Sequence, residues 1–149
     1  MPPQRWNPVE IATMSYGYGV TVTALQLARA YAAIANHGVS HPISLTKLTQ
    51  VPKSTPLISD KIVQQLLPMM ESVVSSDGTA IKAAIPGYRV AGKTGTAHKA
   101  IAHGYAKNQY YGSFVGFAPA KSNPRLIIAV TIDNPRKGGY YGSTVAAPV

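Results

Sequence analysis

The sequence contains no cysteine. That excludes disulfides, thiolate catalysis and cysteine-ligated zinc, and leaves the compartment open. Acidic residues are scarce as well. Five of them, Glu10, Asp60, Glu71, Asp77 and Asp133, stand against 14 lysines and arginines, for a net charge of +9. The five are dispersed, so no carboxylate pair of the glycosidase kind is read. Long apolar runs are missing too. LIIAV, residues 126–130, is strand-sized and far short of a membrane span. MPPQRWNPVE has no apolar stretch behind its arginine and does not read as a signal peptide. Any export signal or anchor is expected outside these residues.

The positive charge is scattered, with no run longer than Arg136-Lys137. Scatter fits a solvated basic surface and argues against nucleic acid as a partner. His98 and His103 fall in one segment without acidic companions, so exposed loop histidines are expected rather than a metal site. Met69-Met70 reads as core, and Asp133 as a strand end or a partner of Arg136.

Residues 1–22, rich in Pro, Gly and Tyr, read as irregular. Thr23 and Gln26 form a capping-box pattern ahead of ALQLARAYAAIAN, with Leu27, Tyr31, Ile34 and Ala35 on one face and Gly38 as the stop. Residues 43–48 alternate like a strand, and VPKSTP is a loop. Ser59 can cap a second helix reaching about Val74, with Ile62, Val63, Leu66, Met70 and Val73 facing the core and Pro68 a source of kinking. Strand candidates 88–97, 110–118 and 125–133 follow as a meander, with a turn over 118–124 and a Gly-rich loop, NPRKGGYYG, behind them.

GYRVAGKTGT, residues 87–96, supports two incompatible readings. Its first eight residues fit the G-x-x-x-x-G-K-[ST] phosphate loop, and LIIAVTID could supply a magnesium-side aspartate. Context opposes this. Pro86 is poor at the end of a central strand, Val90 resists positive φ, and Gly95 weakens a first helical turn. No helix follows strand 125–133 to build a βαβ unit. As an edge strand the same residues fit better. Thr94 and Thr96 share a face and offer two hydroxyls to one anion, with the Lys93 ammonium beside them. That set suits a peptide lying along the strand edge with its terminal carboxylate at the hydroxyls. From these residues alone, an ordinary edge strand with a guarding lysine fits equally well.

GYG-VTVTALQLARAYAAIANHG, VAGKTGTA, FVGFAPA…PRLIIAVTID and GGYYGSTVAAPV, in that order, resemble the transpeptidase domain of class B penicillin-binding proteins of the septal type. The resemblance implies an α/β domain of the α+β type, an antiparallel sheet flanked by helices as in serine β-lactamases. It implies acyl transfer on peptidoglycan, in which a serine attacks a stem-peptide D-Ala-D-Ala bond and an amine resolves the acyl-enzyme. Carried onto this chain, Lys93 holds the field around the serine, Thr94 and Thr96 bind the carboxylate of a stem peptide or β-lactam, and the Thr96 N–H forms half of the oxyanion hole. Gly95 leaves room for the acyl group, and Tyr110, Tyr140 and Tyr141 line the cleft; tyrosines packed on a sheet edge would look the same. No cofactor or metal is implied. The implied setting is the periplasmic side of a bacterial inner membrane, held by a segment outside this chain, beside a septal glycosyltransferase and division proteins.

The chain departs from that pattern. No Ser-x-Asn occurs, and Ser-x-x-Lys occurs once, at Ser44–Lys47, where chance alone supplies about 0.7 matches. HPISLTKL reads as strand, which would turn Ser44 and Lys47 to opposite faces, and it follows the segment that the nucleophile should precede. Residues 1–149 therefore read as the C-terminal portion of a transpeptidase domain without its nucleophile, expected to be inactive and marginally stable alone, with apolar faces and strand edges uncovered. The alternatives are a catalytically empty module that binds β-lactams or partners, and a fragment of a β-lactamase or D,D-carboxypeptidase.

Overall fold

The computed structural model describes residues 6–102, 104–121 and 123–149; His103 lies outside them. The order is α1 (Pro8–Ser15), α2 (Ala24–Ala35), β1 (Val39–Ser40), β2 (Thr55–Pro56), α3 (Asp60–Ser72), a 3-10 turn at Ile81–Ala83, β3 (Ala91–Ile101), β4 (Gly104–Ala118), β5 (Leu126–Asp133) and α4 (Gly142–Val145). β3, β4 and β5 form an antiparallel meander with β4 in the middle, and β1 and β2 a separate antiparallel pair.

Local chemistry explains the helices. Thr23 Oγ1 accepts the Gln26 N–H while the Gln26 side chain accepts the Thr23 N–H, so the expected capping box closes around α2. α1 corrects the irregular reading of the N-terminal stretch. Asn7 and Glu10 exchange the same pair of bonds, and Pro8 occupies the first turn, where its missing N–H costs nothing. Ser59 is the N-cap of α3 without a side-chain bond, and the helix runs through Pro68 to Ser72.

The expected strand over 43–48 does not form. Ser44 Oγ instead donates to the Thr46 carbonyl at 2.7 Å and accepts the Thr46 N–H at 3.1 Å, a local turn. Alternation without a neighbouring strand buries nothing, and Leu45 is 93% exposed.

The two faces of the meander carry the core. Phe114 packs with Val74, Ala80, Ala146 and Ala147 on one face, and Phe117 with Met70, Ala91 and Ala120 on the other. Burying each phenylalanine contributes about 1.5–3 kcal/mol. α2 lies against β4 and β5, α3 against β3, and α4 against β3 and β4. Of the expected α3 core face, Val63 and Met70 are buried, while Ile62 is 53% exposed.

β3 begins at Ala91, three residues later than expected, and runs on to Ile101 beyond an irregularity between His98 and Ala100. Arg89 is held out of the ladder. Its guanidinium grips Glu71 of α3 through Nε–Oε1 at 2.8 Å and Nη2–Oε2 at 2.5 Å, and its carbonyl accepts the Ala120 N–H. Donating these hydrogen bonds to Glu71 raises the Arg89 pKa.

His37 Nδ1 meets Asp60 Oδ1 at 2.8 Å in the first turn of α3. This bond, then one from Gln64, lowers the Asp60 pKa. A depressed folded-state pKa gives stability that is present above the unfolded value and lost as pH falls through the folded one. Asp60→Asn is therefore expected to lower the melting temperature slightly near neutral pH. That difference should close in acid, as followed by circular dichroism across a pH series. The pair is exposed, so the effect is small.

Candidate active site

The candidate site is built on β3, an edge strand. Direct cross-strand pairing sets Thr94 opposite Phe114, Thr96 opposite Gly112 and His98 opposite Tyr110. Residues two apart share a face, so Thr94, Thr96 and His98 stand on the side that carries Phe114 and α4. Lys93 and Gly95 alternate to the other side, opposite Val115 and Ser113.

The backbone direction follows from three hydrogen bonds. In a strand the N–H and C=O of one residue share an edge and those of the next turn to the other. The His98 N–H reaches the Tyr18 hydroxyl at 3.4 Å, away from β4. Tyr110, opposite His98, turns its carbonyl to the Asn134 N–H at 2.8 Å, on the β5 side. Lys93 Nζ curls around to the Thr94 carbonyl at 3.0 Å. Thr94, Thr96 and His98 thus all present N–H and C=O at the outer edge of β3, and Lys93 brings its ammonium there despite starting from the opposite face. The Thr94 hydroxyl lies 3.3 Å from that of Thr79, a residue the sequence did not single out.

Thr96 Oγ1 accepts the Gly142 N–H at 3.0 Å. With one lone pair engaged by this N–H, the hydroxyl has its proton free to donate elsewhere. Gly142 reaches the sheet because Gly112 has no side chain. A Cβ at Gly112 would come within 2.6 Å of Val145 Cγ2 and 3.1 Å of the Tyr140 carbonyl. At Gly95 the missing side chain accommodates Ser113, whose Oγ would sit 2.6 Å from a Cβ.

Tyr110, Tyr140 and Tyr141 come together beside Thr96. Tyr110 stacks on Tyr140 with centroids 4.2 Å apart and planes 17° apart, and Tyr140 tilts against Tyr141 at 4.4 Å. The Tyr140 hydroxyl donates to that of Tyr141 at 3.2 Å, which raises the Tyr140 pKa. On the opposite face Lys99 spans the sheet, binding Asp133 at 2.6 Å with its ammonium 5.0 Å from the Tyr111 ring. The bond to Asp133 raises the Lys99 pKa.

Two expectations are corrected here. His98 is a half-buried strand residue packed on Tyr110, not an exposed loop histidine, because β3 extends past Ala97. Asp133 does end β5, but it pairs with Lys99 rather than Arg136, because the register of β3, β4 and β5 brings the lysine across. The phosphate-loop reading also fails, since residues 91–101 are extended and no helix opens at Lys93. Among the described residues no cluster of His, Asp or Glu could hold a metal ion. Two open clefts of about 340 and 360 Å³ lie near the connection from β4 to β5, lined by Arg29, His37 and Asn123 in one and Leu67, Glu71 and Arg89 in the other. Neither is lined by a residue of Lys93–Thr96.

An antiparallel meander with helices on both faces and Lys-Thr-Gly-Thr on its edge strand marks a class of proteins, and the comparisons agree. The chain belongs to the penicillin binding protein transpeptidase domain family, which it matches over residues 1–149. It is 47% identical to the peptidoglycan D,D-transpeptidase FtsI of Escherichia coli K12 over 146 residues, covering 98% of this chain and 25% of that protein. It is 46% identical to the probable peptidoglycan D,D-transpeptidase PenA of Neisseria flavescens over 146 residues, covering 98% of this chain and 36% of the relative. The solved TP domain of Burkholderia pseudomallei penicillin-binding protein 3, an apo structure, superposes with a TM-score of 0.87 at 46% identity, covering 99% of this chain and 45% of that one. The chain thus spans about a quarter to a third of the length of these curated relatives.

Proposed function

We propose that this chain is the substrate-binding portion of a peptidoglycan D,D-transpeptidase that crosslinks stem peptides at the division septum. The observation that carries the reading is the gathering of an ammonium, two hydroxyls and outward backbone groups at the free edge of β3. A stem peptide or β-lactam lies along that edge, and its carboxylate accepts from the Thr94 and Thr96 hydroxyls. The outward N–H of Thr96 donates to the carbonyl oxygen that becomes an oxyanion when the serine attacks. The Lys93 ammonium stabilises negative charge at the same edge. Gly95 keeps the strand thin against the acyl group, and the three tyrosines pack along the ligand. The serine oxygen adds to the carbonyl as it loses its proton, the adduct collapses by breaking the C–N bond with a proton passing to the departing D-alanine amine, and an amine of a neighbouring stem peptide then displaces the serine oxygen, which regains a proton.

The serine is supplied by a part of the protein outside these 149 residues. In support, the one Ser-x-x-Lys serine, Ser44, spends its hydroxyl on Thr46 in a local turn. That other part also carries the membrane anchor, on the periplasmic side of the inner membrane beside a glycosyltransferase and division proteins. No helix among the described residues is long and apolar enough to cross a membrane.

Incubation with a fluorescent penicillin tests this. The full-length protein is expected to become covalently labelled, with the label blocked by unlabelled penicillin, and the 149-residue chain alone to stay unlabelled. Label on Ser44 or another serine of the chain would overturn the placement of the nucleophile. An unlabelled full-length protein would favour a module without catalysis.

A further inference from the structure

The contacts around Thr96 close into a ring. From Thr96 the strand runs two residues to His98, whose ring packs on Tyr110 at 4.5 Å. Tyr110 stacks on Tyr140, Tyr140 contacts Tyr141, and the next residue, Gly142, returns its N–H to Thr96 Oγ1. Apart from the two stretches of chain, the links are ring-centroid separations of 4.2–4.5 Å and one 3.0 Å hydrogen bond.

His98 is the fixed member of that ring. Its backbone N–H is held by the Tyr18 hydroxyl at 3.4 Å, and its Nδ1 lies 2.9 Å from the Ala106 carbonyl across the hairpin. A carbonyl only accepts, so Nδ1 carries the proton and the ring plane is set. The tyrosine rings have looser ties. Tyr140 and Tyr141 sit on the Gly-rich loop, are 36% and 54% exposed, and hold each other through one hydroxyl contact. Tyr110 adds a 3.3 Å bond to the Lys107 carbonyl within its own strand. The imidazole is therefore the surface against which the aromatic ladder is stacked.

We propose that His98 is a positioning residue for substrate binding: its ring seats the Tyr110–Tyr140–Tyr141 ladder and so holds the Gly142 N–H on the Thr96 hydroxyl. The ring face performs this, and the Nδ1 bond only steadies the hairpin. The proposal rests on the transpeptidase reading for its functional consequence, while its structural half stands on this chain alone.

Two variants of the full-length protein separate ring from hydrogen bond. His98→Phe keeps the aromatic face and loses the bond to Ala106. His98→Asn keeps a donor near the Nδ1 position and loses the face. Stopped-flow acylation by a fluorescent penicillin resolves the dissociation constant of the reversible complex from the acylation rate constant. His98→Asn is expected to raise the dissociation constant about tenfold, the upper end for one lost aromatic contact, and to leave the rate constant within about twofold. His98→Phe is expected to melt lower than the wild type yet bind within about threefold of it. A general structural role would instead weaken binding in step with stability in both variants. Unchanged binding in His98→Asn, or loss confined to the rate constant, overturns the proposal. If His98→Asn does not fold, His98→Leu, which lacks both the aromatic face and the bond, replaces it and is compared with His98→Phe, which lacks only the bond. A wild type that is not acylated at all defeats the transpeptidase reading instead. Crystal structures of the variants then decide the structural half. The ladder and the Gly142–Thr96 bond are expected to stay in His98→Phe and open in His98→Asn; an intact ladder in His98→Asn overturns it.

Discussion

Lys93→Ala in the full-length protein is expected to cut the second-order rate of penicillin acylation on the order of 10- to 100-fold. That is the range for losing a charged hydrogen-bond donor, about 1.5–3 kcal/mol. The folded state should barely notice. The Lys93 side chain is exposed, and its ammonium donates to the carbonyl of its neighbour Thr94. The melting temperature is expected to stay within about a degree, since surface substitutions of this kind stay near 0.5 kcal/mol. Lys93→Arg should recover little of the rate. The ammonium folds back tightly from the far face to the outer edge, and a broad planar guanidinium does not present the same compact charge there. The measurement is time-resolved labelling with a fluorescent penicillin beside a thermal melt. Wild-type labelling by Lys93→Ala would remove the ammonium from the mechanism. A lower rate accompanied by a large drop in melting temperature would make Lys93 a structural residue.

Gly142→Ala should do the reverse, damaging the fold first and the site with it. A Cβ at Gly142 would run into the carbonyl oxygens of Gly95 and Ser113 and lie 2.9 Å from the Ser113 nitrogen. All three are backbone atoms in the middle of β3 and β4, so none can rotate away. α4 must lift from the sheet, taking Ala146 and Ala147 out of the Phe114 cluster and the Gly142 N–H off Thr96. Overpacking of this severity costs about 3 kcal/mol, on the order of 10 °C in melting temperature at this size. Gly138→Ala is the control. It lies in the same loop with φ +77° and nothing within 4 Å of a Cβ, so it pays only backbone strain of about 1 kcal/mol. Equal melting temperatures for the two variants would show that α4 does not sit on the sheet as described.

The legible parts of the chain share one property: their information is local. The capping box at Thr23 and Gln26 sits three residues apart, and the alternation of β4 and β5 is read two residues at a time. The box at Asn7 and Glu10 was equally local, and Asn-Pro-Val-Glu carried the signal; the surrounding Gly and Tyr obscured it. Residues 43–48 show the converse. Their alternation was real, but a strand needs a partner, and only Val39–Ser40 and Thr55–Pro56 found one in that part of the chain.

The site divides in the same way. Lys93, Thr94 and Thr96 could be singled out because residue type and spacing already place two hydroxyls and an ammonium on four consecutive positions. Tyr18, Thr79, His98 and Gly142 gave no such sign. Tyr18 meets the His98 N–H from 80 residues away, and Gly142 meets Thr96 from 46 residues away. Nothing in a local window records a contact of that separation.

By itself, then, the sequence determined the helix starts, the meander, and the chemical groups offered by Lys-Thr-Gly-Thr, because propensity, capping and alternation act over a few residues. Tertiary structure alone decided which edge those groups face and that a distant glycine orients one hydroxyl. Those outcomes depend on strand register and on how closely two backbones approach, and both are settled only when segments far apart in the chain are packed together.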